Sequence, residues 1–215
     1  MSAAEVVVIG ASGFGRESLD VLEAMQVAGQ ALIIVGVADD SPSELNLQRL
    51  AEREVRYLGT VRQVLAEGRP DWLFVIGIGS PEVRRRIASV LEQACRRCFT
   101  AVHPSSTWGA RASLEEGCVV CAGVTVSTNV RLGRQVHLNP NATVGHDTVL
   151  GDFVSVNPAA TISGEVKVGD GTLIGAAAIV LQNLTVGEGS LVGAGAVVTK
   201  NVPPDVVVKG VPGRW

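Results

Sequence analysis

The sequence predicts a small parallel α/β sheet followed by a long all-β domain, a parallel β-helix of stacked coils. Over residues 1–100, glycine-punctuated apolar runs alternate with amphipathic stretches, the pattern of strands joined by helices. From Val102 to Val198 an aliphatic residue, or once Trp108, returns at every sixth position without a slip. Aromatic residues make up only 4% of the 215-residue chain, which suits an interior too narrow for large rings.

In the first part, Val6–Ile9 reads as a buried strand. The turn Gly10-Ala11-Ser12-Gly13-Phe14-Gly15 then opens an amphipathic helix. Residues 31–40 form a second strand ending in Asp39 and Asp40, and residues 71–80 a third ending in Gly77-Ile78-Gly79-Ser80. Pro81 starts the next helix, because its missing N–H and fixed φ suit a first turn. The result is a Rossmann-like sheet, and such sheets bind ligands at their strand C-termini. All three clusters fall on that edge. Bare amides at a helix N-terminus suit a phosphate, which makes Ser12, Gly13 and Phe14 candidate binding residues. Asp39 and Asp40 stand where acids meet a nucleoside, and Gly79 lines the same edge. Three strands are too few for a dinucleotide site, so a mononucleotide or nucleotide sugar fits.

In the second part, the residue four places after each aliphatic is small or β-branched, as at Ala112, Cys118, Ala142 and Ala160. One place after it, Gly or Asn recurs, as at Gly109, Gly133, Gly145 and Gly175. These types tolerate positive φ, and that is the role expected of them at corners. Each hexapeptide then makes one short strand and one corner. Three close a triangular coil, and stacked coils bury an aliphatic column that no single coil could bury alone. After Val198 the register is lost. The division expected is 1–100, 101–200, and an extended tail over 201–215.

A net charge of -3 gives no reason to expect nucleic acid or an anionic membrane as partner. No apolar run approaches a membrane span, and Val6–Gly10 is too short for an export signal. A cytoplasmic protein is expected. Cys95, Cys98, Cys118 and Cys121 have a zinc-ribbon spacing. However, Cys118 falls on a small inward repeat position and Cys95 and Cys98 on the end of a helix. Reduced thiols and no metal are expected.

His146-Asp147 carries the chemistry. His146 lies two places after inward Val144 and should point out of the prism, where an imidazole titrating near neutral pH can act as a base and a neighbouring carboxylate can orient it. His137 occupies an outward repeat position and is expected on the surface. His103, in a His-Pro step, is expected to be structural.

Taken together, GASGFGRE, VADD, IGIGSPEVRRRI, VHPS, TVGHDTVLGDF, IGAAAIV, GAGAVVTK and KGVPGR resemble a known family over essentially the full length. It is that of hexapeptide-repeat nucleotide-sugar acetyltransferases, related to the sialic acid O-acetyltransferases and to the UDP-4-amino-sugar and GDP-perosamine N-acetyltransferases. The resemblance implies a left-handed β-helix, acetyl-CoA as cosubstrate, no metal, and a homotrimer with active sites between subunits. It also implies His146 as catalytic base with Asp147 beside it, and Asn139 in the acceptor pocket. Ser155, Gly164, Ala176 and Ala194 would lie along the coenzyme cleft. Phe14 and Ser155 stand where many relatives carry His. The implied activity is acetylation of the amino group of a nucleotide-linked amino-deoxy sugar. Acetylation of a sugar hydroxyl or a sialic-acid-like sugar stays open, as does a non-catalytic β-helix scaffold with a nucleotide-sensing domain. The His146-Asp147 pair argues against the scaffold.

Overall fold

The computed structural model describes residues 3–215. The first domain runs β1 (Ala4–Ile9), α1 (Gly13–Val27), β2 (Leu32–Ala38), α2 (Glu44–Glu52), α3 (Val61–Glu67), β3 (Leu73–Ile76) and α4 (Pro81–Gln93). Its three strands are parallel in the order β2-β1-β3. β1 is central, and its unbroken Val6-Val7-Val8-Ile9 run is buried on both faces, as a parallel strand covered by helices requires. The sequence reading did not assign α2 and α3. Their start signals are nevertheless present: Ser43 accepts from the Asn46 amide, and Thr60 and Gln63 form a reciprocal capping box.

From Ala101 the chain winds into a left-handed parallel β-helix. Two-residue strands stack on three walls. Thr143 and Val144, for example, pair with Thr125 and Val126 on one side and with Thr161 and Ile162 on the other. The aliphatic column runs the length of the prism and includes Val126, Leu132, Leu138, Val144, Leu150 and Ile162, all buried. Each such side chain contributes about 1.5–3 kcal/mol by leaving water. Ala142, Ala160 and Ala178 are fully buried among them, small enough for the walls to converge.

The corners correct one expectation. The glycines one place after each aliphatic have ordinary backbone angles. Positive φ falls three places after it, at Asn129, Gln135, Asn141, Asp147, Phe153, Glu165, Ala177 and Asn183 among others. The early glycines answer a different need. A Cβ on Gly145 would stand 2.5 Å from the carbonyl carbon of Ser163, and one on Gly175 would stand 2.6 Å from the amide nitrogen of Ala194. They are there for close approach of successive coils. The left-handed residues are held by a ladder, in which the amides of Asn129, Asp147 and Glu165 donate to Ala110, Thr128 and His146 carbonyls and so satisfy the turn.

The end of the chain corrects another. Residues 201–215 close the column instead of trailing from it. Val202 bridges to Val186, Val207 and Val208 pair with Leu191 and Val192, and Val202 and Val208 are buried. The hexapeptide step shortens just before Pro203-Pro204, a pair that cannot donate to a ladder.

The first four strands of one wall of the prism, from Ala101 to Val156, are covered by the first domain. Their outward side chains Ala101, Val119, His137 and Ser155 are each at most 1% exposed. Ala101, Val119 and Cys121 pack in one apolar cluster with α1 residues Leu19, Leu22 and Met25. Phe153 packs with Ala88 and Leu91 of α4. The placement of His137 on the surface is therefore overturned: it points out of the prism and straight into the other domain. Cys118 lies inside the column while Cys95 is exposed at the end of α4. Among the described residues no helix is long and apolar enough to cross a membrane.

The two classes of corner residue should separate on mutation. Gly175→Ala is expected to cost about 1–3 kcal/mol in denaturant unfolding, as overpacking does. Ala177→Gly removes a left-handed Cβ and is expected to be neutral or stabilising by up to about 1–2 kcal/mol.

Candidate active site

His146 stands at a prism corner, with the side chains of His146 and Asp147 56% and 46% exposed. Asp147 is one of the left-handed corner residues, with φ +58°. This turns its carboxylate back beside the preceding imidazole, and His146 Nδ1 lies 2.8 Å from Asp147 Oδ2. Sequence reading missed a third member. Asn129, 18 residues earlier at the equivalent corner, donates from Nδ2 to Asp147 Oδ1 at 2.8 Å. The hydrogen bond from His146, then that from Asn129, hold the Asp147 carboxyl below its ordinary range. The signal that could have found Asn129 is the repeat itself, since three hexapeptides bring corner residues into register.

A carboxylate at Nδ1 favours the tautomer with its proton there, which leaves Nε2 of the neutral ring as an acceptor. The ring lies over Gly164, where any Cβ would overlap the imidazole. Gly164 thus gives the imidazole its room. Ala176 and Ala194 stand on the next prism edge, across the wall that carries Thr143 and Thr161, half-buried and exposed respectively.

Two expected site residues are committed elsewhere. Ser155 does not line an open cleft in this chain. It is buried under the first domain, donating to the Gly79 carbonyl at 3.2 Å and accepting from Arg84 at 3.0 Å. Asn139 is also buried, its Nδ2 donating to the Val156 carbonyl at 3.0 Å. It is a corner-ladder residue.

At the sheet edge, the glycines sort into two kinds. Gly10 (φ +108°), Gly15 and Gly77 interlock: a Cβ on Gly10 would stand 2.8 Å from the Gly77 carbonyl oxygen, and one on Gly77 would stand 2.6 Å from Gly15 Cα. The strand-to-helix turn needs all three. Gly13 and Gly79 have no atom within 4 Å of a built Cβ, so the space beside them is open. Ser12 caps α1 without using its hydroxyl and is exposed. Asp39 braces the turn, Oδ2 accepting from the Ala11 amide at 2.7 Å and Oδ1 from Ser41 at 2.9 Å. Asp40 accepts from the Val61 amide at 2.8 Å. Phe14 turns toward the solenoid and stacks on His137, with ring centroids 4.5 Å apart. Burial, and then the charge of Arg84, push the His137 imidazole well below its ordinary pKa, so it is neutral.

Residues 5–91 match the PglD N-terminal domain. Residues 165–200 match the bacterial transferase hexapeptide of six repeats, and residues 112–128 the hexapeptide repeat of succinyl-transferase. No curated protein matches the sequence. Among solved structures, the chain is similar to PerB from Caulobacter crescentus in complex with CoA and GDP-perosamine. The identity is 26%, covering 98% of this chain and 96% of that one, with a TM-score of 0.87. It is similar to the acetyltransferase domain of PglB from Neisseria gonorrhoeae FA1090 in complex with acetyl coenzyme A, at 26% identity over 99% of both chains and a TM-score of 0.85. WeeI from Acinetobacter baumannii AYE matches at 26% identity over 99% of both chains, TM-score 0.85.

Removal of the Asn129 amide should move the Asp147 titration upward. Carboxyl NMR of Asn129→Ala against the parent protein measures this. An unmoved titration would mean that the amide contributes nothing to the carboxylate.

Proposed function

We propose that this chain, which couples a PglD-type amino-terminal domain to a hexapeptide-repeat acyltransferase domain, transfers an acetyl group from acetyl-CoA to the amino group of a nucleotide-linked amino-deoxy sugar. The observation that carries the reading is the Asn129–Asp147–His146 chain of hydrogen bonds, ending at a free imidazole nitrogen over Gly164 on an open corner. The similarity over 98% of the chain to PerB in complex with CoA and GDP-perosamine supports both the acyl donor and the nucleotide-linked acceptor.

Acetyl-CoA supplies an activated thioester carbonyl when bound. His146 Nε2 takes the proton that the acceptor amine sheds as its nitrogen bonds to the acyl carbon, and delivers it to the departing sulfur. Asp147 holds the Nδ1 proton, fixes the ring and steadies the imidazolium. Asn129 keeps that carboxylate aligned. The nucleotide sits at the sheet edge, with its phosphates on the α1 amides beside Ser12 and Gly13 and its nucleoside toward Asp39 and Asp40, and Gly79 leaves the sugar a path. Gly164, Ala176 and Ala194 are small enough for pantetheine to pass close to the backbone. Because Ala176 and Ala194 lie on a different prism edge from His146 and Gly164, a homotrimer that sets edges of neighbouring subunits face to face accounts for both sets. A cytoplasmic setting fits substrates of this kind.

Thiol release from acetyl-CoA across UDP-, GDP- and dTDP-amino sugars tests the activity. His146→Ala should lower kcat by roughly 10²–10⁴, the worth of a positioned general base. Asp147→Asn should cost less, since it removes the partner that orients the ring and leaves the ring itself, with kcat followed across pH for each variant. A fully active His146→Ala enzyme with an unchanged profile would sink the mechanism.

Nucleotide binding should depend on the first domain. Gly13→Val is expected to abolish binding by calorimetry with little change in melting temperature, because the site next to Gly13 is empty of protein atoms. Asp39→Asn should weaken it. Unchanged affinity in both would place the pocket elsewhere.

A further inference from the structure

Arg84, on α4, is fully buried yet meets no carboxylate. Taking a guanidinium out of water is costly, and a well-packed apolar residue of similar volume is often as stable or better. Burial lowers its pKa to about 9, still high enough to keep it charged at neutral pH. Stability alone therefore does not account for it. Its contacts do. Nη1 donates to the Ile78 carbonyl at 2.9 Å and the Gly79 carbonyl at 3.3 Å, in the turn that follows β3. Nε donates to the Gln135 carbonyl at 3.0 Å. Nη2 donates to the Phe153 carbonyl at 2.7 Å and to Ser155 Oγ at 3.0 Å. Ser155 Oγ in turn donates to the Gly79 carbonyl.

The partners have a pattern. Gln135 and Phe153 are left-handed corner residues at φ +58° and +61°, one coil apart. The coil between them is the one that carries His146. The turn gripped by Nη1 holds Gly79, one of the two glycines that face open space at the sheet edge. A planar fork with five donors in fixed directions ties these pieces together in a way that an ammonium cannot.

We propose that Arg84 is a positioning residue for acyl transfer, joining the turn that lines the nucleotide edge to the coil that presents His146. Ser155 is its accessory. Arg84 reaches neither substrate; it sets where the acceptor held by one domain stands relative to the base held by the other. The proposal rests on the functional reading above, in that its kinetic signature needs an acceptor gripped by the first domain.

The test uses the full chain carrying Arg84→Met, Arg84→Lys or Ser155→Val, with UDP- and GDP-amino sugars as acceptors. In the Arg84 variants, kcat is expected to fall about 10- to 100-fold, as misplacement of reacting groups does. The Kd for UDP or GDP alone and the KM for acetyl-CoA should stay within about twofold, which a general loss of folding would not allow. Ser155→Val, which removes both hydroxyl contacts and adds one methyl group, should show the same split more mildly, and it carries the test if the Arg84 variants do not fold. Amide hydrogen exchange at Gly79 and at the Gln135 and Phe153 corners should rise at least about tenfold in these variants, and this readout needs no turnover. Unchanged exchange overturns the proposal, as does an unchanged kcat or an equal loss of nucleotide affinity. A parent protein silent on every sugar, with exchange altered as expected, would instead overturn the functional reading and leave the clamp standing.

Discussion

Where Gly109, Gly133, Gly145, Gly169, Gly175 and Gly187 follow the aliphatic residue of a hexapeptide, successive coils lie too close to leave room for a Cβ. This steric limit organises the second domain. It demands glycine at those corners, as at Gly145 and Gly175, and a left-handed residue recurs two places further on. Between those positions is one whose side chain must point outward. His146 occupies it, and the left-handed position beside it belongs to Asp147. The same constraint that closes the coil thus presents an imidazole to solvent and folds a carboxylate back against it. Asp is among the residues that bear positive φ best, so one side chain meets both the backbone requirement and the chemical one.

Stacking then extends the site. Residues 18 apart occupy equivalent corners, so Asn129 lies against Asp147 and Gly164 lies against His146. Hydrogen bonds along this ladder hold the carboxylate charged and fix which ring nitrogen is free. Such preorganisation needs nothing from the first domain, since it is built entirely from the repeat.

The second domain's first wall tells a different story. Alternation along a strand determines which side chains leave the prism, but it says nothing of what covers them. His137 leaves the prism and meets Phe14. Ser155 leaves it and meets Gly79 and Arg84. Burial of the His137 imidazole favours its neutral form and opposes the docking of the two domains. Apolar packing of Ala101, Val119 and Phe153 against α1 and α4 offsets it. The interface is therefore partly polar, with Arg84 in its midst, and it ties the turn after β3 to the corners on either side of the His146 coil.

By itself, the sequence determined whatever is periodic or local. The aliphatic step of six specified the column, the strand-turn-helix run around Gly10–Gly15 specified the parallel sheet, and the place of His146-Asp147 in the repeat specified an exposed imidazole beside a carboxylate. These follow from short-range sterics and side-chain direction, which one segment carries alone. Its readings failed where distance along the chain and distance in space part company. The corner glycines proved to answer contact with a later coil. Residues 201–215 proved to cap the column despite their broken spacing. His137, Ser155, Asn139 and Arg84 took their roles from neighbours tens of residues away. Only the tertiary structure decides such matters, because burial belongs to the surface that arrives, and no local pattern announces which wall a second domain will cover.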